Sequence, residues 1–177
     1  MNNPTQFYTN QKQQLESELK KVKSQLINIS IGRLVIFLLT ATLIYMTYES
    51  LYLAISIGFV GLIIFSRLLL KFLQKKKTKQ LLLSKIELNT IELEVLKGNY
   101  EKLDSGTQFI NPQHAFSNDI DLFGKGSFFQ YLNRTSTNEG AVLLANTLTE
   151  NNIDSIENKQ KAVQDLAEKP KWRQHFS

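Results

Sequence analysis

A long apolar block limits the folds that this chain can adopt more than any other feature of its sequence. Residues 34 to 73 contain 29 apolar side chains and only three charged ones. Glu49 and Ser50 divide this block. When the residues just before the block are included, they separate two stretches of 20 residues each, 29–48 and 51–70. As helices, each would extend about 30 Å, the hydrocarbon thickness of a bilayer. The pattern predicts two transmembrane helices joined by a very short turn. The alternative is a helical hairpin buried in a soluble core.

Basic residues flank the outer ends of both stretches and are absent from the turn between them. Arg33 lies near the start of the first stretch and Arg67 near the end of the second, so a hairpin brings both to the same membrane face. By the positive-inside rule, both termini face the cytoplasm and the chain is a two-pass protein of the inner (plasma) membrane. We expect six residues at the membrane interface: Arg33, Arg67, Lys71, Lys75, Lys76 and Lys77. A solvated run that sets topology is the simpler account of these lysines, and binding of anionic lipid is the other.

The basic excess is unevenly distributed along the chain. The formal net charge is +5, but residues 1–110 carry a balance of +6 and residues 111–177 one of −1. The excess therefore belongs to the half that holds the apolar block, and nucleic-acid binding cannot be inferred from it. The absence of cysteine excludes a disulfide framework, a thiolate nucleophile and any Cys-based metal site. The polar segment before the block is too long for a secretory signal peptide, so we expect the anchor to be retained.

The polar stretches on either side of the apolar block carry apolar stripes with 4-3 spacing, which is the heptad pattern of coiled coils. The first stripe consists of Leu15, Leu19, Val22, Leu26 and Ile29, and the second of Leu82, Ile86, Asn89, Leu93, Leu96, Tyr100 and Leu103. A hairpin brings these arms side by side. We therefore expect an antiparallel coiled-coil stalk, in which Asn89 helps to fix the register. The alternative is two amphipathic helices that pack separately.

The composition changes at Asp104-Ser105-Gly106, which is typical of a helix end and a turn. The predicted organisation is an N-terminal coiled-coil arm (1–28), two transmembrane helices (29–70), a basic segment with the returning arm (71–104) and a helical region (105–177). We expect an extended stretch from Asn111 to about Asp121. Four short helices should follow, over 127–132, 138–148, 155–167 and from about 171. Two capping boxes support these helices, Ser136 with Glu139 and Asp154 with Glu157.

Two local patterns in this region resemble chemical sites. Gly124-Lys125-Gly126-Ser127 lacks the spacing of a phosphate-binding Walker loop, because Asp119 occupies the position of the first glycine. It is better explained as a glycine-permitted turn that leads into the helix beginning at Ser127. His114, Asp119 and Asp121 could be a metal or acid–base set, since the two carboxylates would point to one side of an extended segment. Surface turn and capping roles are the simpler interpretation.

The segment from Gln113 to Phe176, above all the run from His114 to Thr135, resembles the opening of the core helical domain in MutS-type DNA mismatch repair proteins. It is most similar to the membrane-anchored branch, in which two transmembrane helices replace the mismatch-reading domain. The family pattern Arg-Thr-x-Thr-x-x-Gly is matched from Arg134 to Gly140. The motif residues of the resemblance are Asp119, Asp121, Phe123, Gly124, Ser127, Arg134, Thr135, Thr137, Gly140 and Gln160. Lys159 stands where the family has an arginine.

Periodicity and resemblance together predict an all-α chain: a transmembrane hairpin, an antiparallel coiled-coil stalk and the first short helices of a MutS-type core domain. The resemblance implies ATP and Mg²⁺ in a C-terminal ATPase domain, a homodimer formed through that domain, and DNA as a partner of the full-length protein. This chain contains none of the ATPase motifs. We therefore expect a non-catalytic N-terminal segment of a longer protein, without a cofactor or metal of its own and held in the lipid bilayer. The alternative is a complete small two-pass adaptor that acts through coiled-coil and helical protein contacts.

Overall fold

The computed structural model describes residues 3–150, 154 and 156–173, without the side chain of residue 171. The elements in chain order are α1 (Pro4–Met46), α2 (Leu51–Leu96), a 3-10 helix (Thr107–Phe109), α3 (Phe128–Leu132), α4 (Asn138–Thr149), α5 (Ile156–Ala167) and α6 (Pro170–Arg173). Every regular element in the described part of the chain is helical, so the all-α prediction is confirmed. The chain divides into two compact units, the hairpin unit (Met1–Glu92) and the C-terminal unit (Leu93–Ser177).

The hairpin unit consists of two helices that each run without a break from a polar arm into the apolar block. The helix α1 begins after Asn3, whose side chain accepts a hydrogen bond from the Thr5 backbone N–H, and Pro4 occupies its first turn. It ends at Met46, and the backbone N–H of Ser50 donates to the carbonyl of Thr47 within the turn. The predicted division of the apolar block at Glu49 and Ser50 falls in this four-residue connection.

The two helices contact each other both in the polar arms and in the apolar block. In the arms, Leu19, Val22 and Leu82 form a buried cluster, against which Leu15, Leu26 and Ile86 pack. In the block, Gly61 is buried, and a Cβ atom added to it would lie 2.5 Å from Thr40 Oγ1. A side chain at position 61 would therefore clash with the side chain of Thr40. The predicted stripes Leu15–Leu26 and Leu82–Ile86 therefore do face each other.

The helix α2 ends at Leu96, so the predicted stripe is wrong at Tyr100 and Leu103. Gly98 has a φ of 87°, and its N–H donates to the carbonyl of Val95 while the N–H of Asn99 donates to that of Glu94. This is a Schellman ending, in which a left-handed glycine turns the chain out of the helix. The 4-3 spacing continues in the sequence beyond that glycine although the helix does not.

The C-terminal unit has an aromatic core. The rings of Phe109, Phe123 and Phe129 pack against one another, with centroids 5.4–5.8 Å apart. Leu122 and the small α4 residues Ala141 and Ala145 complete the buried cluster, and Leu144 and Leu148 pack against it. The 3-10 helix, α3, α4 and the loop at residues 122–123 thus share one small core.

The predicted short helices agree with the structure, except at their ends. The helix α3 begins at Phe128, one residue after the predicted start, with Ser127 as its N-cap, and α4 extends one residue further than predicted, to Thr149. The predicted cap at Ser136 is wrong, because Thr137 accepts the hydrogen bond from the Gly140 N–H. The residue at 155, where the next helix is predicted to begin, lies outside the described residues, and α5 is described from Ile156. The predicted last helix starts at Pro170.

Candidate functional site

The outward faces of the two long helices are apolar and exposed. Phe37, Phe59 and Leu62 are 61%, 64% and 61% exposed. Both helices are long and apolar enough to span a membrane. The alternative of a hairpin buried in a soluble core requires a covering layer, which the described residues do not supply. We call this exposed surface, residues 34–46 and 51–66, the apolar belt.

Arg33 lies in the contact between the two helices, and not on their outer surface. Its Cζ atom is 5.1 Å from the ring centroid of Phe65 and 5.4 Å from that of Phe72. Both distances are within the range of cation–π interactions. The Nε atom is shielded from solvent and has no hydrogen-bond partner. The sequence predicts Arg33 at the interface, but gives no indication of the aromatic rings around it.

The other predicted interface residues follow along α2. Arg67, Lys71, Lys76 and Lys77 are exposed, whereas Lys75 is half-buried. Lys75 follows Phe72 with the spacing that places residues on the helix face toward α1. Lys79, one helical turn beyond Lys75, is half-buried as well.

The loop from Asn111 to Leu122 is a series of turns, so the predicted extended stretch is wrong. The carbonyl of Phe116 accepts hydrogen bonds from the N–H groups of Asp119 and Ile120. Asp121 has a φ of 47°, in the left-handed region. Asp119 and Asp121 are both exposed and do not share the side of an extended strand. The described residues contain no group of three potential metal ligands from His, Cys, Asp and Glu.

His114 has a structural role in this loop. Its Nδ1 atom accepts hydrogen bonds from the N–H groups of Ser117, at 3.2 Å, and of Phe116, at 3.4 Å. Its ring also packs edge-to-face on that of Phe116, with centroids 4.6 Å apart. The turn role that was the simpler interpretation for His114 is therefore the one supported by its contacts.

The motif residues Phe123, Gly124 and Ser127 lie around the N-terminus of α3. Phe123 belongs to the aromatic core. The N–H of Gly124 donates to the Ser105 carbonyl at 2.8 Å, and Ser127 Oγ accepts from the Gln130 N–H at 3.1 Å. Gly124 and Gly126 have φ values of 109° and 79°. The prediction of a glycine-permitted turn into the helix is confirmed.

Gln130, which the sequence analysis did not select, connects this turn to the segment after α2. It is only 2% exposed. Its Oε1 accepts from the Gly126 N–H at 2.8 Å, and its Nε2 donates to the carbonyls of Glu101, at 3.0 Å, and Leu103, at 2.6 Å. We call this arrangement the Gln130 cluster. All three partners are backbone groups, so no pattern of side chains in the sequence could reveal it.

The motif from Arg134 to Gly140 forms the entry to α4. Arg134 Nη1 donates to the carbonyls of Tyr131 and Asn133, and Thr135 hydrogen-bonds Asn133 Oδ1 through its N–H and hydroxyl. A Cβ atom on Gly140 would lie 3.2 Å from both Thr135 Cβ and Thr137 Oγ1. The motif therefore has a local structural role. Gln160 is exposed on α5, away from these residues in sequence.

Comparison of the chain with protein-family models, with curated proteins and with solved structures finds no significant match.

Proposed function

We propose that this chain is the membrane-anchoring N-terminal segment of a MutS-like DNA-binding ATPase and is itself non-catalytic. The observation that carries the anchor is the apolar belt, exposed on two continuous helices that a four-residue turn connects. This belt suits a hydrocarbon environment, because a contiguous apolar surface of this extent is unfavourable in water. The MutS-type part of the proposal depends on the motif residues from Asp119 to Gly140.

In this proposal both termini are cytoplasmic and the polar arms form an antiparallel coiled-coil stalk. The packing of Leu19 and Val22 on Leu82 supports that pairing of the arms. ATP, Mg²⁺, DNA and the homodimer belong to the remainder of the proposed full-length protein.

The topology is tested by cysteine labelling, since the chain has no native cysteine. Single variants Glu49→Cys, Ser17→Cys and Ser136→Cys are treated in intact cells with a membrane-impermeant maleimide. We expect labelling of the variant at Glu49 from outside, and labelling of the other two only after permeabilisation. Labelling at Ser17 or Ser136 in intact cells would refute the cytoplasmic termini.

The MutS-type assignment is tested by sequencing the gene downstream of Ser177. An open frame that continues to a Walker A loop supports the proposal. An authentic stop codon, together with a stable folded product of this length, would refute it.

A second candidate function is a complete small two-pass membrane adaptor. The observation that favours it is the closed aromatic core and the Gln130 cluster of the C-terminal unit, which give this unit contacts of its own. An adaptor requires a C-terminal unit that unfolds cooperatively in the purified chain. Rapid, non-cooperative proteolysis from Asp104 onward would exclude the adaptor.

A further inference from the structure

The charge of Arg33 is held between the helices of the hairpin unit without a counter-anion. Phe65 and Phe72 contact its guanidinium from α2, and its Nε atom has no hydrogen-bond partner. Between Lys20 and Lys85 the only acidic residue is Glu49, at the opposite end of the hairpin. No ion pair of Arg33 occurs among the residues that the structure describes. The ring faces attract the cation but do not neutralise it.

The position of Arg33 limits which anion could reach it. Its neighbours Ile31 and Leu34 are 55% and 59% exposed, and Leu70 of α2 is 61% exposed. These apolar side chains border the apolar belt and would be in contact with lipid. A soluble polyanion would have to cover them, whereas the phosphate of a phospholipid already lies at the boundary of the hydrocarbon layer.

A second cation, Lys75, lies beyond Phe72 on α2, in the direction away from the apolar belt. Lys75 is half-buried on the face of α2 toward α1, three residues after Phe72, which corresponds to about 4.5 Å along the helix axis. A guanidinium binds phosphate through two parallel N–H donors, and an ammonium adds a compact positive charge. The guanidinium therefore offers a directional contact, and Lys75 adds a positive charge further along α2.

We propose that Arg33, oriented by Phe65 and Phe72 and assisted by Lys75, binds the phosphate of an anionic phospholipid in the cytoplasmic leaflet. This site rests on the proposed membrane insertion and adds a lipid preference to it. The exposed cations Arg67, Lys71, Lys76 and Lys77 contribute general attraction to the same leaflet, whereas the Arg33 site selects one headgroup at a fixed position.

The test uses the full chain reconstituted in nanodiscs and released for native mass spectrometry. The probes are phosphatidylglycerol, which is anionic, and phosphatidylcholine, which carries a phosphate but no net charge. We expect the wild type to retain phosphatidylglycerol in preference. Retention should fall about tenfold in Arg33→Gln, which is the loss of one charge-assisted bidentate contact. Arg67→Gln is the matched control, because Arg67 is exposed and has no aromatic clamp, and we expect a fall of less than about threefold.

Equal losses in Arg33→Gln and Arg67→Gln would overturn the proposal, because they would indicate only a diffuse charge effect. Equal retention of the two lipids by the wild type would overturn it as well. Displacement of the lipid by millimolar inorganic phosphate would assign the site to a soluble anion. The double variant Phe65→Leu/Phe72→Leu keeps the charge but removes the clamp, and its retention should lie between those of the wild type and Arg33→Gln.

Membrane insertion is measured separately, by alkaline extraction and by helix content from circular dichroism. If alkaline treatment extracts the wild-type chain from the membrane, the proposed membrane anchor is refuted, and not only the lipid site. If Arg33→Gln fails to insert, Arg33→Lys replaces it, because lysine keeps the charge and lacks the planar fork. Retention in Arg33→Lys should fall about threefold, and unchanged retention would contradict the bidentate contact.

Discussion

Replacement of Gln130 by leucine should lower the free energy of unfolding of the C-terminal unit by about 1.5–4.5 kcal/mol. Leucine has a similar size and is apolar, so it retains the packing of a side chain that is 2% exposed. It removes all three hydrogen bonds of the Gln130 cluster, those to the Gly126 N–H and to the carbonyls of Glu101 and Leu103. The substitution thus separates hydrogen bonding from volume.

The magnitude follows from the surroundings of the three backbone partners. A net contribution of about 0.5–1.5 kcal/mol for each bond gives about 1.5–4.5 kcal/mol. Gly126 and Glu101 are exposed, so water can replace the lost contacts there, whereas Leu103 is half-buried and its carbonyl loses more. A unit of about 85 residues (Leu93–Ser177) is stable by only about 4–13 kcal/mol. The predicted loss is therefore a large fraction of the total.

Hydrogen exchange with mass spectrometry on the full chain in detergent measures this change. We expect faster exchange at the Gly126 amide and across α3 in Gln130→Leu. Gln130→Glu should destabilise at least as much at neutral pH, because it places a carboxylate oxygen against two carbonyl oxygens. Gln160→Leu is the control on an exposed site, and we expect a change within about 0.5 kcal/mol. Unchanged exchange in Gln130→Leu would refute the role of the cluster.

Three further predictions concern single residues of the same unit. Thr137→Ala removes the N-cap of α4, so it should destabilise this unit by about 1 kcal/mol and lower its thermal midpoint. Ser136→Ala should leave the midpoint unchanged. The reverse result would mean that Ser136 is the cap, as the sequence predicts. In urea unfolding, Gly106→Ala should destabilise the unit more than Gly98→Ala. Both glycines have positive φ, but only at Gly106 would a Cβ atom lie 2.5 Å from the buried ring of Phe129. Equal losses of stability would contradict this. Hydrogen bonds from Lys97 and Asn99 lower the pKa of the Glu94 carboxyl from its ordinary value of 4.5. The ionised carboxylate should therefore stabilise the folded state fully above pH 4.5, and this stabilisation should be lost as the pH falls through the lowered pKa of the folded state. Amide exchange at the end of α2, normalised to the intrinsic exchange rate at each pH from 6 to 3, tests this; Glu94→Gln should remove the loss of protection at low pH, and an unchanged loss would contradict the role of Glu94.

The helices of the hairpin unit could be predicted because each depends on a repeated pattern. The length of the apolar stretches and the 4-3 spacing of Leu15, Leu19 and Val22 involve many residues, so no single one decides the result. The end of α2 could not be found in this way, since it depends on the backbone conformation of one residue, Gly98. The spacing continues to Tyr100 beyond it, and the pattern alone does not indicate that the helix has ended.

The C-terminal unit was less predictable, for a physical reason. Its helices are short, and the contacts between them are made by backbone groups and by single side chains such as Gln130 and Thr137. The choice of Thr137 over Ser136 as cap depends on which residue reaches the Gly140 N–H. The extended stretch was predicted from Asn111-Pro112, but successive turns satisfy its backbone hydrogen bonds locally. Such local alternatives compete in sequence patterns that are only a few residues long.

The contact between α1 and α2 changes its chemistry along the hairpin in a way that agrees with the proposed membrane boundary. In the polar arms it is made by Leu19 and Leu82, where water supplies a hydrophobic driving force. In the apolar block it is made by Thr40 and Gly61, a close approach of small residues. Lipid is as apolar as leucine, so helices within it associate through such small residues instead. Along α1, Arg33 lies between these two regions of the helix contact. If the hairpin were the core of a soluble domain, nothing would require its packing to change character at that point.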